Sequence, residues 1–371
     1  MKLFFALLMS AVLLSGCATA SRSAGFRDVS QTVEDRTGFQ VRWNRDTRED
    51  AQVAEKIQAL LQEPLTVESA TQIALLNNNG LQAIFEELGV AQADLVQAGL
   101  LQNPVFSGAV RFPDRSEAAT NWEFSISYDF LDVLFRPLRK RLATAQFKQA
   151  QLRVGDAVLN LSAEVRLAYY TLQGAEHTRA MLKTIVEAAQ AASELAERQH
   201  AAGNINDLEL ANEQAAFQQA ALDLERAEAE VLADREQLNR LMGLPASPRW
   251  KLSDRLPQLP AMEPVMKDLE ERALSQRLDL AAARQEVKVF EQALVLDRKG
   301  VIPTAVVGIS TEHEPEEEGP TSTGPALELP LPIFDQRQAA IARAEVQLRQ
   351  SQSRLSALET QIRSEARAAR D

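Results

Sequence analysis

The stretch Asn121-Trp122-Glu123-Phe124-Ser125-Ile126-Ser127-Tyr128-Asp129-Phe130 alternates without a break, with Trp122, Phe124, Ile126, Tyr128 and Phe130 on one side and the polar residues on the other. A period of two marks a strand, because successive side chains of an extended backbone point to opposite faces. Aromatic residues on one face and small polar or acidic ones on the other suit a strand with lipid outside and water inside. On that reading Glu123 and Asp129 are lumen-facing carboxylates that favour cations. The same pattern also fits a half-buried strand of a soluble sandwich, so the surroundings must decide. Pro104 to Arg111 makes a weaker partner strand, and Pro113 to Thr120 a polar loop between the two. After Cys17 no apolar run is long enough to cross a bilayer as a helix, so any crossing falls to strands.

On either side of these strands the pattern turns helical. Thr66 to Gln102 begins with a capping threonine and a first-turn acid, Glu68, and stops at Asn103-Pro104. From Leu138 to about Gln199 the heptad is unbroken. Val154, Leu161, Ala168, Ala175, Leu182, Ala189 and Ala196 recur every seven residues, with Val158, Val165 and Leu172 four places after the first three. About 60 residues at ~1.5 Å each predict a rod of about 90 Å. Ala202-Gly203-Asn204 interrupts the pattern, and Leu210, Phe217, Leu224, Val231 and Leu238 resume it over Ile205 to Met242. Two long helices and a glycine turn make an antiparallel coiled hairpin. Gly243 to Pro264, with five prolines, is a connecting segment. The composition agrees: aromatics are 5%, glycines only 15, and Ala, Leu, Gln, Glu and Arg dominate, as in long helices packed through small residues.

Then the chain starts again. At an offset of 199 residues Ala74-Leu75 matches Ala273-Leu274, Leu81 matches Leu280, Glu87 matches Glu286, Val90 matches Val289 and Leu95-Val96 matches Leu294-Val295. Pro104 falls on Pro303, Phe135 on Phe334 and Ala143 on Ala342, each at the same kind of boundary. The pattern is an internal duplication of helix, strand pair and long helix. In the second copy Pro303 to Thr311 and Thr323 to Leu331 are the expected strands, and His313 to Glu318 an acidic loop between them. Ile341, Leu348, Leu355 and Ile362 restart the heptad, and their antiparallel partner is expected to be missing, leaving an exposed seam.

At the N-terminus Lys2 and the apolar run Leu3 to Leu14 form a secretory signal, residues 1–16. Leu14-Ser15-Gly16-Cys17 resembles a bacterial lipobox, and Cys17 is the only cysteine. A plain signal peptide with a chance cysteine is the alternative. A lone thiol makes no internal disulfide, which favours thioether-linked lipid at Cys17. Ala18, rather than Asp, resembles an outer-membrane sorting signal. Residues 18 to about 62 read as an extended leader with one short helix near Ala51 to Gln62. The net charge of −12, with no basic stripe to offset it, excludes a nucleic-acid partner.

Helix, strand hairpin and long coiled helices, then all of it once more behind a lipobox, resemble the TolC-like outer-membrane efflux proteins. The stretches that carry the likeness are Ala74 to Pro104, with Asn77-Asn78-Asn79, Glu87 to Ala91 and Leu101-Gln102-Asn103-Pro104, and Gly203 to Ala211 at the turn. The resemblance implies a mixed α and β membrane protein: a homotrimer in which four strands per protomer close a twelve-stranded barrel, continued by a periplasmic tunnel of antiparallel coiled hairpins. It implies a bacterial outer membrane location with a lipid anchor at Cys17, and a periplasmic adaptor and inner-membrane pump as partners. The adaptor is expected to dock at the tip, Ala202, Gly203, Asn204 and Ile205. The domains are then the signal, a lipidated leader over 17–65, a first repeat over 66–242, a linker over 243–264 and a second repeat over 265–371. Four strands alone cannot close a barrel, which independently favours an oligomer. One departure is large: Phe334 to Asp371 falls about 70 residues short of Phe135 to Met242. Most of the second coiled hairpin is thus lacking, the second repeat reads as incomplete, and no position matches the family's gating aspartates.

Enzyme chemistry finds no footing. His177, His200 and His313 lie far apart without ligand partners at metal spacing, and no nucleophile motif, phosphate loop or cofactor fingerprint occurs. His200 beside the turn reads as a solvent-facing side chain. The run His313 to Glu318 can bind cations at the outer mouth or simply keep the rim solvated. The rival from another class is a periplasmic adaptor or structural coiled-coil lipoprotein, but an adaptor needs Gly- and Val-rich β-domains beside a single hairpin. The exported substrate, metal ion or organic molecule, is not written in the sequence.

Overall fold

A computed structural model describes residues 25–45, 47–112, 120–244, 250–253, 268–302, 304–313 and 320–370. Cys17, Pro303 and most of the two expected strand loops lie outside them. In chain order the elements are α1 (Phe26–Thr37), α2 (Arg48–Gln62), α3 (Val67–Asn77), α4 (Asn79–Gly99), β1 (Val105–Arg111), β2 (Asn121–Asp129), α5 (Phe130–Ala201), α6 (Asp207–Leu241), α7 (Leu269–Gln276), α8 (Leu278–Lys299), β3 (Val306–His313), β4 (Thr321–Glu328) and α9 (Gln338–Arg370). The chain forms two compact units, each built from separated stretches. Among the described residues one takes 87–153 and 268–370 with Gly25, the other 26–86 and 154–253.

The second of these units carries the hairpin. Val154, Val158, Val165 and Leu172 of the expected heptad are buried, as are Val231 and Leu238 on the return helix. Further along α5 the seam is made of small residues, Ser193 and Ala196, so the two helices lie close and most of their remaining surface is exposed. α5 begins at Phe130, earlier than the expected Leu138, and runs 72 residues with Pro137 inside it. Pro137 is the eighth residue of α5, past the first turn, so it removes one backbone bond, that to Val133 O.

The leader is more structured than expected. α1 buries Val29 and Val33, one turn apart, and Phe26 meets the edge of Phe85 with centroids 5.1 Å apart. Residues 40–44 then run extended between two glutamine side chains. Gln72 accepts from the Gln40 N–H and donates to its carbonyl, and Gln82 does the same to Asn44 N and Arg42 O. The indole N–H of Trp43 donates to Glu86 at 2.8 Å. These partners lie 32 to 43 residues away in sequence, which is why the segment looks featureless when read alone.

The expected single helix from Thr66 to Gln102 is broken in two at Asn78, whose backbone is extended. Asn78 donates its side-chain amide to Leu241 O at 2.9 Å, and Asn77 donates to Met242 O and Gly243 O. Together the two asparagines cap the C-terminus of α6, satisfying carbonyls that a helix end leaves orphaned. Gly243 (φ +67°) closes that end: its N–H bonds Arg240 O and the N–H of Leu244 bonds Asn239 O. Residues 250–253 return to the same place, where Leu252 bridges Leu65 and the Tyr169 hydroxyl donates to Leu65 O.

In the other unit four antiparallel strands form one sheet in the order β1-β2-β3-β4. The seam of α9 is not left open, contrary to the expectation from its heptad. Ala344, Ser351, Ile362 and Ala366 are buried against α7 and α8, the helices that precede the strands in the same copy. Pairs Arg298–Glu345, Arg284–Glu359 and Arg277–Glu365, at 2.6, 3.1 and 2.5 Å, run along this contact and fix it as antiparallel. The Gln361 amide, then the Arg277 guanidinium, hold the Glu365 carboxyl below its ordinary range.

A methyl group at Gly243 would stand 2.5 Å from the Asn77 carbonyl, whereas at Gly38 (φ +71°) nothing lies within 4 Å. Gly38→Ala should therefore cost only its backbone conformation, roughly 1–3 kcal/mol, and Gly243→Ala clearly more. Urea unfolding of the two variants makes the comparison. Equal losses would mean that the fit against Asn77 does not hold the end of α6.

Candidate functional site

The sheet has two unlike faces. Cross-strand pairing places Phe106 with Ile126, Ile126 with Ile309, Tyr128 with Val307 and Val307 with Leu327, so one face is apolar over all four strands. Phe106, Ile126, Ile309 and Leu327 are 68%, 56%, 62% and 72% exposed. Large side chains left this open over a contiguous face need an apolar surrounding. At one end Trp122 stacks on His313 with ring centroids 5.4 Å apart, and Phe106 stacks on Phe124.

The opposite face is small and polar. Ser107, Ser125, Ser310 and Gly324 form one row across the strands, and Val105, Ser127, Gly308 and Ala326 the next. A third row holds Ala109, Glu123, Glu312 and Ser322. Glu123 lies 3.6 Å from the Arg111 guanidinium, and the Asn121 amide donates to Glu312 at 3.4 Å. Asp129 stands apart from them: its Oδ1 accepts from Leu131 N and Ala305 N, both at 3.0 Å. Glu312 and His313 belong to β3 rather than to a loop, so strand pairing brings Glu312 beside Glu123. The parity of Glu312 with Ser310 and Gly308 was the signal in the sequence, hidden because the strand looked shorter.

At the tip, α5 ends in a glycine-centred turn. The N–H of Gly203 (φ +78°) bonds His200 O and that of Asn204 bonds Gln199 O. Asn206 then caps α6, accepting from Glu209 N while the Glu209 carboxylate accepts from Asn206 N. His200 Nε2 and Asp207 Oδ1 meet across the turn at 2.7 Å. Ala202, Gly203 and Asn204 are exposed and Ile205 half-buried, which gathers the four expected docking residues on one small convex surface. No space restricts Gly203; its backbone angle does.

Among the described residues no three His, Cys, Asp or Glu side chains gather to hold a metal ion, and no helix is long and apolar enough to cross a membrane. Residues 70–244 match the model of the outer membrane efflux protein family. Over that range the chain is similar to the outer membrane efflux proteins. The chain is 25% identical over 279 residues to the cobalt-zinc-cadmium resistance protein CzcC of Cupriavidus metallidurans, a match covering 74% of this chain and 65% of that protein. Its fold is that of the CmeC outer membrane channel of Campylobacter jejuni, with a TM-score of 0.66 at 16% identity over 79% of this chain and 67% of that one. It is also that of the MtrE outer membrane channel of Neisseria gonorrhoeae, crystallised in an open state, with a TM-score of 0.56 at 18% identity over 80% and 70%. Both of these solved structures are outer membrane channels. The efflux fold therefore accounts for the mostly helical chain with four antiparallel strands.

Within the polar face, a Cβ at Gly308 would meet Ile126 O at 2.6 Å, while at Gly324 it would meet nothing within 4 Å. Gly308→Ala should force β2 and β3 apart and lower the yield of protease-resistant sheet, with Gly324→Ala close to wild type. Limited proteolysis of membranes carrying each variant checks this; equal resistance would show that β2 and β3 can relax around the methyl.

Proposed function

We propose that the chain is the outer-membrane channel component of a tripartite efflux system and exports divalent metal cations. The observation that carries this is the sheet: an exposed apolar face, a small polar face bearing Glu123 and Glu312, and two edges, β1 and β4, that have a neighbour on one side only. Open edges in lipid leave backbone groups without partners, so β1 of one copy pairs with β4 of the next. Three copies give twelve strands with the apolar face to lipid and the polar face to water. The metal substrate is supported by the likeness to a cobalt-zinc-cadmium resistance protein and by carboxylates on the polar face. Lipid at Cys17 adds a second attachment, the helical part lies in the periplasm, and the tip at Ala202 to Ile205 receives an adaptor that joins the channel to an inner-membrane pump.

The test is a host lacking the gene, restored with the wild type or with variants. Loss should raise sensitivity to zinc, cobalt or cadmium and leave drug tolerance unchanged; the reverse pattern would reject the metal substrate. Metabolic labelling with a fatty acid should tag wild type and miss Cys17→Ser, and equal labelling of both would remove the anchor from the proposal. A photo-cross-linker in place of Asn204 should capture the co-expressed adaptor. An assembled pump without that adduct would place docking elsewhere.

A further inference from the structure

On one stripe of α5, at steps of three and four residues, stand Phe130, Leu134, Pro137, Arg141, Thr144 and Lys148, all exposed. The stripe is apolar as far as Pro137 and polar or basic beyond it. Val133 and Lys140, also exposed, change over at the same level. Phe130 keeps the parity of Ile126 and Tyr128, so the stripe begins where the apolar face of the sheet ends. After β4 the alternation of Leu327 runs on in the same way through Leu329, Leu331 and Ile333, and Phe334 is 91% exposed. Just past these apolar turns α5 carries Arg136, Arg139, Lys140 and Arg141. Its one acid before that point, Asp132, is buried and paired with Arg139 at 2.6 Å. Lys140 and Arg141 have no polar side-chain partner among the described residues. This excess of positive charge is local, in a chain whose net charge is −12.

We propose that the foot of α5 binds the phosphate groups of anionic phospholipids, with Lys140 and Arg141 at its centre. The inference rests on the channel reading, which puts the apolar face of the sheet in lipid. At ~1.5 Å per residue Arg141 stands about 10 Å beyond Leu134, and the headgroup layer on each side of a bilayer is about 5–8 Å thick. Long basic side chains cover the difference, laying their stems on apolar surface and ending among the phosphates. Near an anionic surface each such cation strengthens association about fivefold. A second copy of the chain fits this surface less well. β2 is an inner strand, so the foot of α5 lies away from β1 and β4, the edges at which copies meet.

The experiment reconstitutes the full chain in phosphatidylcholine bilayers with a trace of spin-labelled phosphatidylglycerol or spin-labelled phosphatidylcholine, and compares the motionally restricted fraction of each. Wild type should hold phosphatidylglycerol several-fold more strongly at low salt, falling toward parity as salt rises. The double variant Lys140→Gln/Arg141→Gln should lose the preference, and Lys140→Glu/Arg141→Glu should reverse it. Lys148→Gln, about 10 Å farther along the stripe, should keep it. A preference that survives the double variant, or one that Lys148→Gln also abolishes, would overturn the site. Inorganic phosphate should compete no better than chloride at equal ionic strength; stronger competition would assign the two cations to free phosphate and overturn the lipid proposal. Restricted lipid without any preference in the wild type would overturn the inference and leave the channel reading standing. No restricted lipid with either label would reject both.

Discussion

A backbone that enters hydrocarbon must find every hydrogen-bond partner within protein, and under the proposed function that demand falls on the four-stranded sheet. Neither strand pair can meet it alone. The ladder between β2 and β3 joins them, pairing Trp122 through Asp129 with His313 back to Val306. Its foot is fixed by three bonds: Phe130 N donates to Ala305 O, and Asp129 Oδ1 accepts from Ala305 N and Leu131 N. Asp129 thus ties the two copies together at the point where β2 ends and α5 begins. Below each strand pair an arginine reaches back 37 residues to the carbonyl of a helix-ending glycine, Arg136 to Gly99 and Arg337 to Gly300. The two strand pairs are similar pieces, and these bonds set them in one register.

The helices answer a different constraint. A long hairpin with small residues at its seam gains little from burial per residue, so its ends must be held by other means. Gly203 and Gly243 end α5 and α6 in the same way, and Asn206, Asn77 and Asn78 bond the backbone groups left over. In the second copy ion pairs between α9 and the α7–α8 pair take the place of a broad apolar core. Such pairs contribute little individually at an exposed surface, yet they choose which helix lies beside which and in what direction.

The periodic features were legible in the sequence because they need no distant partner. Alternation from Trp122 to Tyr128 and the sevens from Val154 to Leu238 each repeat a local geometry. What escaped was set by contacts across the chain. α1 is ordered through Phe85, residues 40–44 by Gln72 and Gln82, and the break at Asn78 by the end of α6. The seam of α9 looked unpartnered because the hairpin of the first copy suggested the wrong partner; α7 and α8 cover it instead. On the candidate site, Glu123 was readable from its own strand, whereas Glu312 required knowing that β3 extends two residues past Thr311.

The row Ala109, Glu123, Glu312 and Ser322 says most about what the polar face meets. Like charges placed directly opposite on neighbouring strands oppose pairing. Arg111 relieves Glu123 and the Asn121 amide touches Glu312, but both carboxylates remain on a face lined mostly by serine, glycine and alanine. Among the described residues no apolar layer packs there, and a sheet covered by protein on that side would have to desolvate two acids for one arginine. Water makes the arrangement tolerable, because in high dielectric the repulsion is small. Water on this face and an apolar medium on the other are then two aspects of one requirement, and both agree with the proposed place of the sheet as a wall between a lumen and a lipid.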